Sequence, residues 1–198
     1  MKLGITGVRS AITQAFIPLY DANPSRRATW YSRAIQDMPL DLDDYLLCAG
    51  VLHGKRIGEM TGLELSETMS VNFASIASFC DRLFDYNDKA RVCVIGSQSG
   101  VNGSYDMAYA GAKAALHLYV ETKALSTIQQ HLVCVAPTII EDAGMTQRRG
   151  DLKAKLAEGK CRRLRRWLKA EEVARIALFA LKEPALCNTV INASGGNW

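Results

Sequence analysis

The chain has 198 residues, of which 48% are hydrophobic and 22% charged, with a formal net charge of +4. This length suits one domain that buries about 70% of its unfolded surface, and the composition is globular rather than disordered or fibrous. No run of about 18 apolar residues is present to span a bilayer, and the start, MKLGITGVRS, lacks a signal-peptide core, so a cytoplasmic setting is expected.

KLGIT before Gly7 reads as a short strand and turn, and SAITQAFIPLYDA (10–22) then has apolar residues at helical spacing. ATWYS (28–32) predicts a second strand, and DDYLLCAGV (43–51) a buried strand opening into a turn at Ala49 and Gly50. Only about a dozen residues separate these two strands, too few for two helical crossovers with a strand between them. The region between the second strand and the next is therefore trimmed, or MPLDL (38–42) pairs as a short remnant. GLELSETMSVNFASIASFCDRLFDY (62–86) predicts one long amphipathic helix, and ARVCVIGS (90–97) a strand covered on both faces. A helix over 107–126, strand HLVCVAP (131–137), helix AEEVARIALFALK (170–182) and strand NTVINAS (188–194) complete the chain. Strands alternating with helices predict an α/β fold: a Rossmann-like, doubly wound, mainly parallel sheet in a single domain, 1–198.

The six cysteines (48, 80, 93, 134, 161 and 187) form no CxxC pair, and several lie in apolar strands. They read as reduced core thiols, and no metal is assigned. Residues 148–169 hold ten Lys or Arg against two acids, a local +8 that leaves the rest of the chain at −4. Cations there crowd the start of the predicted helix at 170, where the helix dipole disfavours them. That suggests a counter-anion, such as an anionic group on a substrate. Nucleic acid is not expected as a partner, because a basic patch is only half of that signature.

The chemistry gathers in GSQSGVNGSYDMAYAGAKAAL (96–116). Tyr109 and Lys113 stand four residues apart, on one face of a helix. An ammonium about 5 Å from a phenol, at an effective dielectric of about 20, favours the phenolate by roughly 3 kcal/mol, or about two pKa units. A tyrosine so tuned shuttles protons, and Ser97 at a strand end holds an oxygen beside it. GSQSG is not a hydrolase elbow, since Gln98 occupies the central position of GxSxG.

Along nearly its whole length the chain resembles the short-chain dehydrogenase/reductase (SDR) family. TGVRSAI is similar to its phosphate-binding turn, CAG to its strand-end Asn-Ala-Gly, SVNF to its mid-helix asparagine motif and IGSQSG to its serine motif. YAGAK, VAPTII and INASGG resemble the tyrosine-lysine motif, the Pro-Gly segment and the closing turn. The resemblance implies Tyr109 as general acid/base, Lys113 lowering its pKa and holding the nicotinamide ribose, Ser97 orienting the reacting oxygen, and Asn72 supporting the relay. It further implies cofactor contacts from Gly7, Arg9, Ser10, Ala11, Ile12, Ser32, Arg33, Asp41, Ala49, Gly50, Pro137 and Ile140, with 148–169 as a segment covering the substrate. A homodimer or homotetramer packed through the helices bearing Asn72 and Tyr109 is implied as well.

Where the family has three glycines, this chain keeps only Gly7, with Ala11 and Thr13 at the others; a methyl at Ala11 threatens the approach to the pyrophosphate. After the second strand stand Ser32 and Arg33, with no acid to bind the ribose 2′-hydroxyl of NAD. Arginine pairs with a 2′-phosphate, so NADP is expected over NAD. The reading is an NADP-dependent carbonyl reductase or alcohol dehydrogenase acting on a small molecule. The alternative is a catalytically weak NADP(H)-binding sensor or scaffold of the same fold.

Overall fold

The structure is a computed structural model that describes residues 1–32, 34–147, 153, 157 and 163–196. Six parallel strands form one sheet: β1 (Lys2–Thr6), β2 (Arg27–Ser32), β3 (Asp44–Leu47), β4 (Arg91–Ile95), β5 (His131–Pro137) and β6 (Thr189–Ala193). Their order across the sheet is β2-β1-β3-β4-β5-β6. The expected mainly parallel α/β domain is therefore observed. The strand order reverses between β1 and β3, and in open α/β sheets that reversal opens a crevice at the carboxyl ends of the strands.

Helices α1 (Ala11–Asp21) and α7 (Ala170–Lys182) pack together on one face of the sheet. Phe16, Tyr20, Val173, Ala177 and Leu181 there meet Leu3, Ile5 and Val133. The other face is covered by α3 (Ser75–Tyr86) and α5 (Met107–Thr122), with Ile76, Phe79, Leu83, Leu116 and Val120 against Tyr45, Leu47 and Val94. The buried strands carry near-continuous apolar runs because both faces are dry.

Among the described residues, the link from β2 to β3 contains a single 3-10 turn, Ile35–Asp37, and no strand. MPLDL does not pair; its Met38 and Leu42 instead fill the second core beside Ile35 and Phe79. The Tyr45 hydroxyl fixes the segment, accepting from Leu42 N–H at 3.0 Å and donating to the Pro39 carbonyl at 2.9 Å. A few apolar side chains thus stand in for the missing layer.

The long helix expected over 62–86 forms in three pieces: α2 (Gly62–Met69), a π turn over Ser70–Ala74, and α3. Thr61 caps α2 by accepting from Glu64 N–H at 3.2 Å, with the Glu64 carboxylate returning to Thr61 N–H at 2.9 Å. In the π turn Ser75 N–H bonds the Ser70 carbonyl, five residues back. The Asn72 amide takes the Thr68 carbonyl at 2.9 Å, so a side chain competes for an acceptor that a regular helix reserves for the backbone. Helix α5 stops at Thr122 rather than 126, where Asn188 donates to the Val120 and Lys123 carbonyls at 2.7 and 2.9 Å.

At the amino-terminal edge of the sheet Asp44 is fully buried, with 0% exposure. It accepts from Tyr20 Oη at 2.5 Å, from Arg91 Nε at 2.7 Å and from Lys182, joining β3, β4, α1 and α7. Burial, then the carboxylate, raises the Tyr20 pKa and keeps its proton on. Removing one member of a buried charged cluster strands the others. Asp44→Ala should therefore lose about 3–5 kcal/mol in urea unfolding, against about 1 kcal/mol or less for Asp88→Ala on the surface.

Candidate active site

The crevice at the strand ends is a cavity of about 680 Å³, within the usual range of about 300–1,000 Å³ for ligand sites. Its wall is contributed by the ends of β1 (Gly7 to Ser10), β3 (Cys48 to Gly50), β4 (Gly96 to Ser99) and β5 (Pro137 to Ile140), together with Tyr109 and Lys113 of α5. No carboxylate lines it among the described residues.

Gly7 turns the chain at φ +69°, and a Cβ there would lie 2.6 Å from the Cys48 carbonyl carbon. Only glycine meets both demands. The Thr6 hydroxyl accepts from Cys48 N–H at 3.1 Å and Ala49 N–H at 3.2 Å, binding the ends of β1 and β3 to each other. Ser10 caps α1, its Oγ accepting Ile12 N–H at 3.2 Å. The remaining N–H groups of the first turn have no acceptor inside the helix and face the anion-attracting end of its dipole. Ala11 is not part of the cavity wall: it packs against the core beside Phe16. The extra methyl therefore leaves the approach to that turn open.

Tyr109 opens the inner face of α5, which begins where Asp106 accepts Tyr109 N–H at 2.9 Å. The same carboxylate accepts Gly54 N–H at 3.0 Å, tying the loop after β3 to the start of the helix. Lys113 is 3% exposed; its Nζ donates to the Ile95 carbonyl at 2.8 Å and lies 5.8 Å from the Tyr109 ring centre. Burial lowers its pKa. Burial pushes the Tyr109 phenol up to about 12, and a hydrogen bond with Ser97 opposes that rise. This corrects the sequence expectation of a depressed phenol. The ammonium sits against a carbonyl and over the ring, while desolvation of the phenolate dominates, so the phenol holds its proton at neutral pH.

Asn72 does not touch the cavity. It is fully buried, donates to the Val51 carbonyl at 2.9 Å and accepts Val51 N–H at 3.2 Å. It holds the loop after Gly50 in place. Asp41 is also misassigned by sequence: it precedes β3, between Leu40 and Leu42, whose carbonyls accept from Asn87 at 2.8 and 3.0 Å. That is the opposite edge of the sheet. Ser32 ends β2 beside Thr6, at the cavity edge of the sheet, and Arg33 lies outside the described residues. Gly7, Arg9, Ser10, Ile12, Ala49, Gly50, Pro137 and Ile140 all line the cavity.

Of the basic segment 148–169, residues 148–152, 154–156 and 158–162 lie outside the described residues. In its described part, Arg166 makes two 2.8 Å bonds to the Glu172 carboxylate, and Lys169 stands 3.1 Å from Glu141. Asp142 accepts Ala170 N–H at 2.9 Å at the start of α7. Carboxylates of the chain itself thus pair with Arg166 and Lys169 at the start of α7. Ile140 and Leu168 form a bridge that fastens the segment beside β5.

Sequence reading missed His117, two turns along α5 from Tyr109. Its Nε2 accepts Ser97 N–H at 3.3 Å. Serine Oγ instead accepts Ser99 N–H at 3.1 Å, so the histidine and serine do not form a nucleophile pair.

A model of the short-chain dehydrogenase family matches residues 8–153, more than half of the chain. The chain belongs to the short-chain dehydrogenase family. It is a shortened, oxidoreductase-family α/β domain, and membership implies a nicotinamide cofactor. No curated protein matches the sequence. Among solved structures, a short-chain dehydrogenase family protein from Francisella tularensis superposes with a TM-score of 0.83 at 19% identity, over 98% of this chain and 97% of the other. An SDR-family oxidoreductase from Burkholderia thailandensis gives 0.81 at 17% identity, over 98% and 91%. The aldohexose dehydrogenase of Thermoplasma acidophilum gives 0.81 at 18%, over 98% and 93%. At these identities the likeness speaks for the fold.

The residues present fit a nicotinamide dinucleotide. An uncapped set of N–H groups at the start of α1 suits a pyrophosphate. Lys113 uses one of its three N–H donors on Ile95, leaving two for ribose hydroxyls. In this SDR chain Gly7→Ala should displace the end of β3 and weaken dinucleotide binding at least tenfold, read by nicotinamide fluorescence, with Gly58→Ala in open surface space as the neutral control.

Proposed function

We propose that this protein is an NADP-dependent carbonyl reductase or alcohol dehydrogenase with Tyr109 as its acid/base group. The observation that carries the reading is the meeting of Ser97, Tyr109 and Lys113 on one cavity that also reaches the capped start of α1. When bound, the nicotinamide supplies or accepts a hydride. Ser97 holds the substrate oxygen by its hydroxyl, and Tyr109 gives that oxygen a proton in reduction or takes one from the alcohol in oxidation. The Lys113 ammonium holds ribose hydroxyls and keeps a positive charge beside the phenol as it loses its proton.

NADP is favoured over NAD by charge. Arg9 stands exposed at the cavity wall with no carboxylate lining that wall, and Arg33 follows directly after β2. Fluorescence titration with NADPH and NADH tests this. Arg9→Ala and Arg33→Ala should each weaken NADPH about tenfold, equivalent to about 1.4 kcal/mol, and leave NADH unchanged. Equal affinity for the two cofactors would defeat the NADP reading.

The alternative, a cofactor-binding sensor or scaffold with little turnover, is motivated by the short β2–β3 link. Self-association through the outer side of α5, where Met107 and Leu118 are exposed, belongs to both readings and is measured by light scattering. A screen of carbonyl compounds with NADPH separates the two. Tyr109→Phe should abolish any turnover found and preserve NADPH affinity; a variant as active as the parent would rule the phenol out.

The direction of the Tyr109 shift sets the pH dependence. A phenol raised to about 12 is fully protonated in the neutral range, so reduction should show no dependence on this group between about pH 6 and 9. Oxidation needs the phenolate, whose fraction grows about tenfold per pH unit below the pKa. Initial rates in the two directions across that range should therefore diverge.

A further inference from the structure

His117 is 7% exposed and belongs to no part of the proton path described above. It lies on the same helical face as Tyr109 and Lys113, at intervals of four residues. Its ring fills a slot made by two glycines. A Cβ on Gly96 would fall 2.5 Å from His117 Nε2, and one on Gly100 would fall 2.8 Å from its Cε1. From that slot Nε2 reaches the Ser97 amide at 3.3 Å. Ser97 otherwise sits on a strand-end loop, held by the Ser99 N–H to its own Oγ, by the Gly100 N–H to its own carbonyl at 3.0 Å and by Gln98 N–H to the Pro137 carbonyl at 2.9 Å.

We infer that His117 is a positioning residue of the reaction, its imidazole holding the Ser97 amide so that the serine hydroxyl meets both Tyr109 and the substrate oxygen. The inference rests on the oxidoreductase reading for the meaning of Ser97, and on the geometry alone for the contact. The contact requires Nε2 to be unprotonated, so the ring must be neutral with its proton on Nδ1. The surroundings enforce this. Burial and then the Lys113 ammonium push the His117 pKa down to about 4, and no carboxylate adds to either influence. The Cys134 thiol, which shares the Gly96 slot, is itself held neutral by burial. One buried cation thereby acts twice, beside the phenol and in keeping the histidine an acceptor.

The test compares the parent, His117→Gln and His117→Leu as isotope-labelled proteins by NMR. Glutamine offers a carbonyl oxygen at similar reach; leucine fills the slot without an acceptor. In the parent, the Ser97 amide shift should follow a single protonation with a midpoint near about 4, and the ring should report the Nδ1–H tautomer above it. His117→Leu should speed exchange of the Ser97 amide at least tenfold relative to core amides such as Val94. His117→Gln should stay within about threefold of the parent. On any carbonyl found by the screen, kcat/KM should fall about tenfold in His117→Leu and recover in His117→Gln, with NADPH affinity equal in all three. Unchanged Ser97 exchange in His117→Leu would overturn the positioning role. So would equal damage in both variants that spreads to the core amides, which would make the residue packing alone. Failure of the parent to bind either cofactor would instead sink the oxidoreductase reading, with the Ser97–His117 contact still decided by the exchange data.

Discussion

A lysine buried to 3% exposure, donating to the carbonyl at the end of β4, is the constraint around which this site is organised. An ammonium in an apolar interior is tolerated only with hydrogen-bond acceptors close by. Lys113 finds one at Ile95 and has two donors left over. The carbonyl locks α5 to β4, and α5 thereby brings Tyr109 beside Ser97. Under the proposed function, the two remaining donors hold ribose hydroxyls.

The sheet explains why a shortened chain retains that site. The cavity is walled mainly by the carboxyl ends of β1, β3, β4 and β5, by α5 and by the short helices Ser99–Asn102 and Gly144–Gln147, with Ile12 of α1 and Val71 of the π turn. The shortened link joins β2 to β3 and, through Asp37 to Leu42, runs near the amino-terminal edge, where its apolar residues cover Tyr45 and Phe79. The reversal of strand order between β1 and β3, which opens the crevice, is untouched.

Much of this was legible in the sequence, for reasons that differ from element to element. The strands read clearly because a sheet dry on both faces demands uninterrupted apolar runs, as in RVCVI and HLVCVAP. Tyr109 and Lys113 read clearly because helical spacing is local. The π turn at Ser70–Ala74 did not, since it depends on Asn72 finding Val51 across a loop. The place of Asp41 was misjudged because the trimmed link shifts the sequence relative to the strand that follows. The ion pairs Arg166–Glu172 and Lys169–Glu141 were hidden because net charge in a window says nothing of which carboxylates the fold brings to it. His117 carried a usable signal: it is four residues beyond Lys113 on the inner face, with Gly96 and Gly100 flanking the serine.

The sign of the Tyr109 shift shows where pairwise reasoning runs short. A Coulomb estimate for one ammonium gives roughly 3 kcal/mol towards phenolate, yet it omits the loss of water around the phenolate oxygen, which acts in the other direction and is the larger influence here. The ammonium's own field is shared with the Ile95 carbonyl dipole, and burial lowers its pKa as well. A cavity lined by cations and no described carboxylate gains most when an anionic ligand restores charge balance and stabilises the protonated lysine. Ligand charge, lysine protonation and phenol acidity are therefore thermodynamically linked. A protonated phenol beside Lys113 is a state ready to donate, and burial of the phenol favours it at neutral pH.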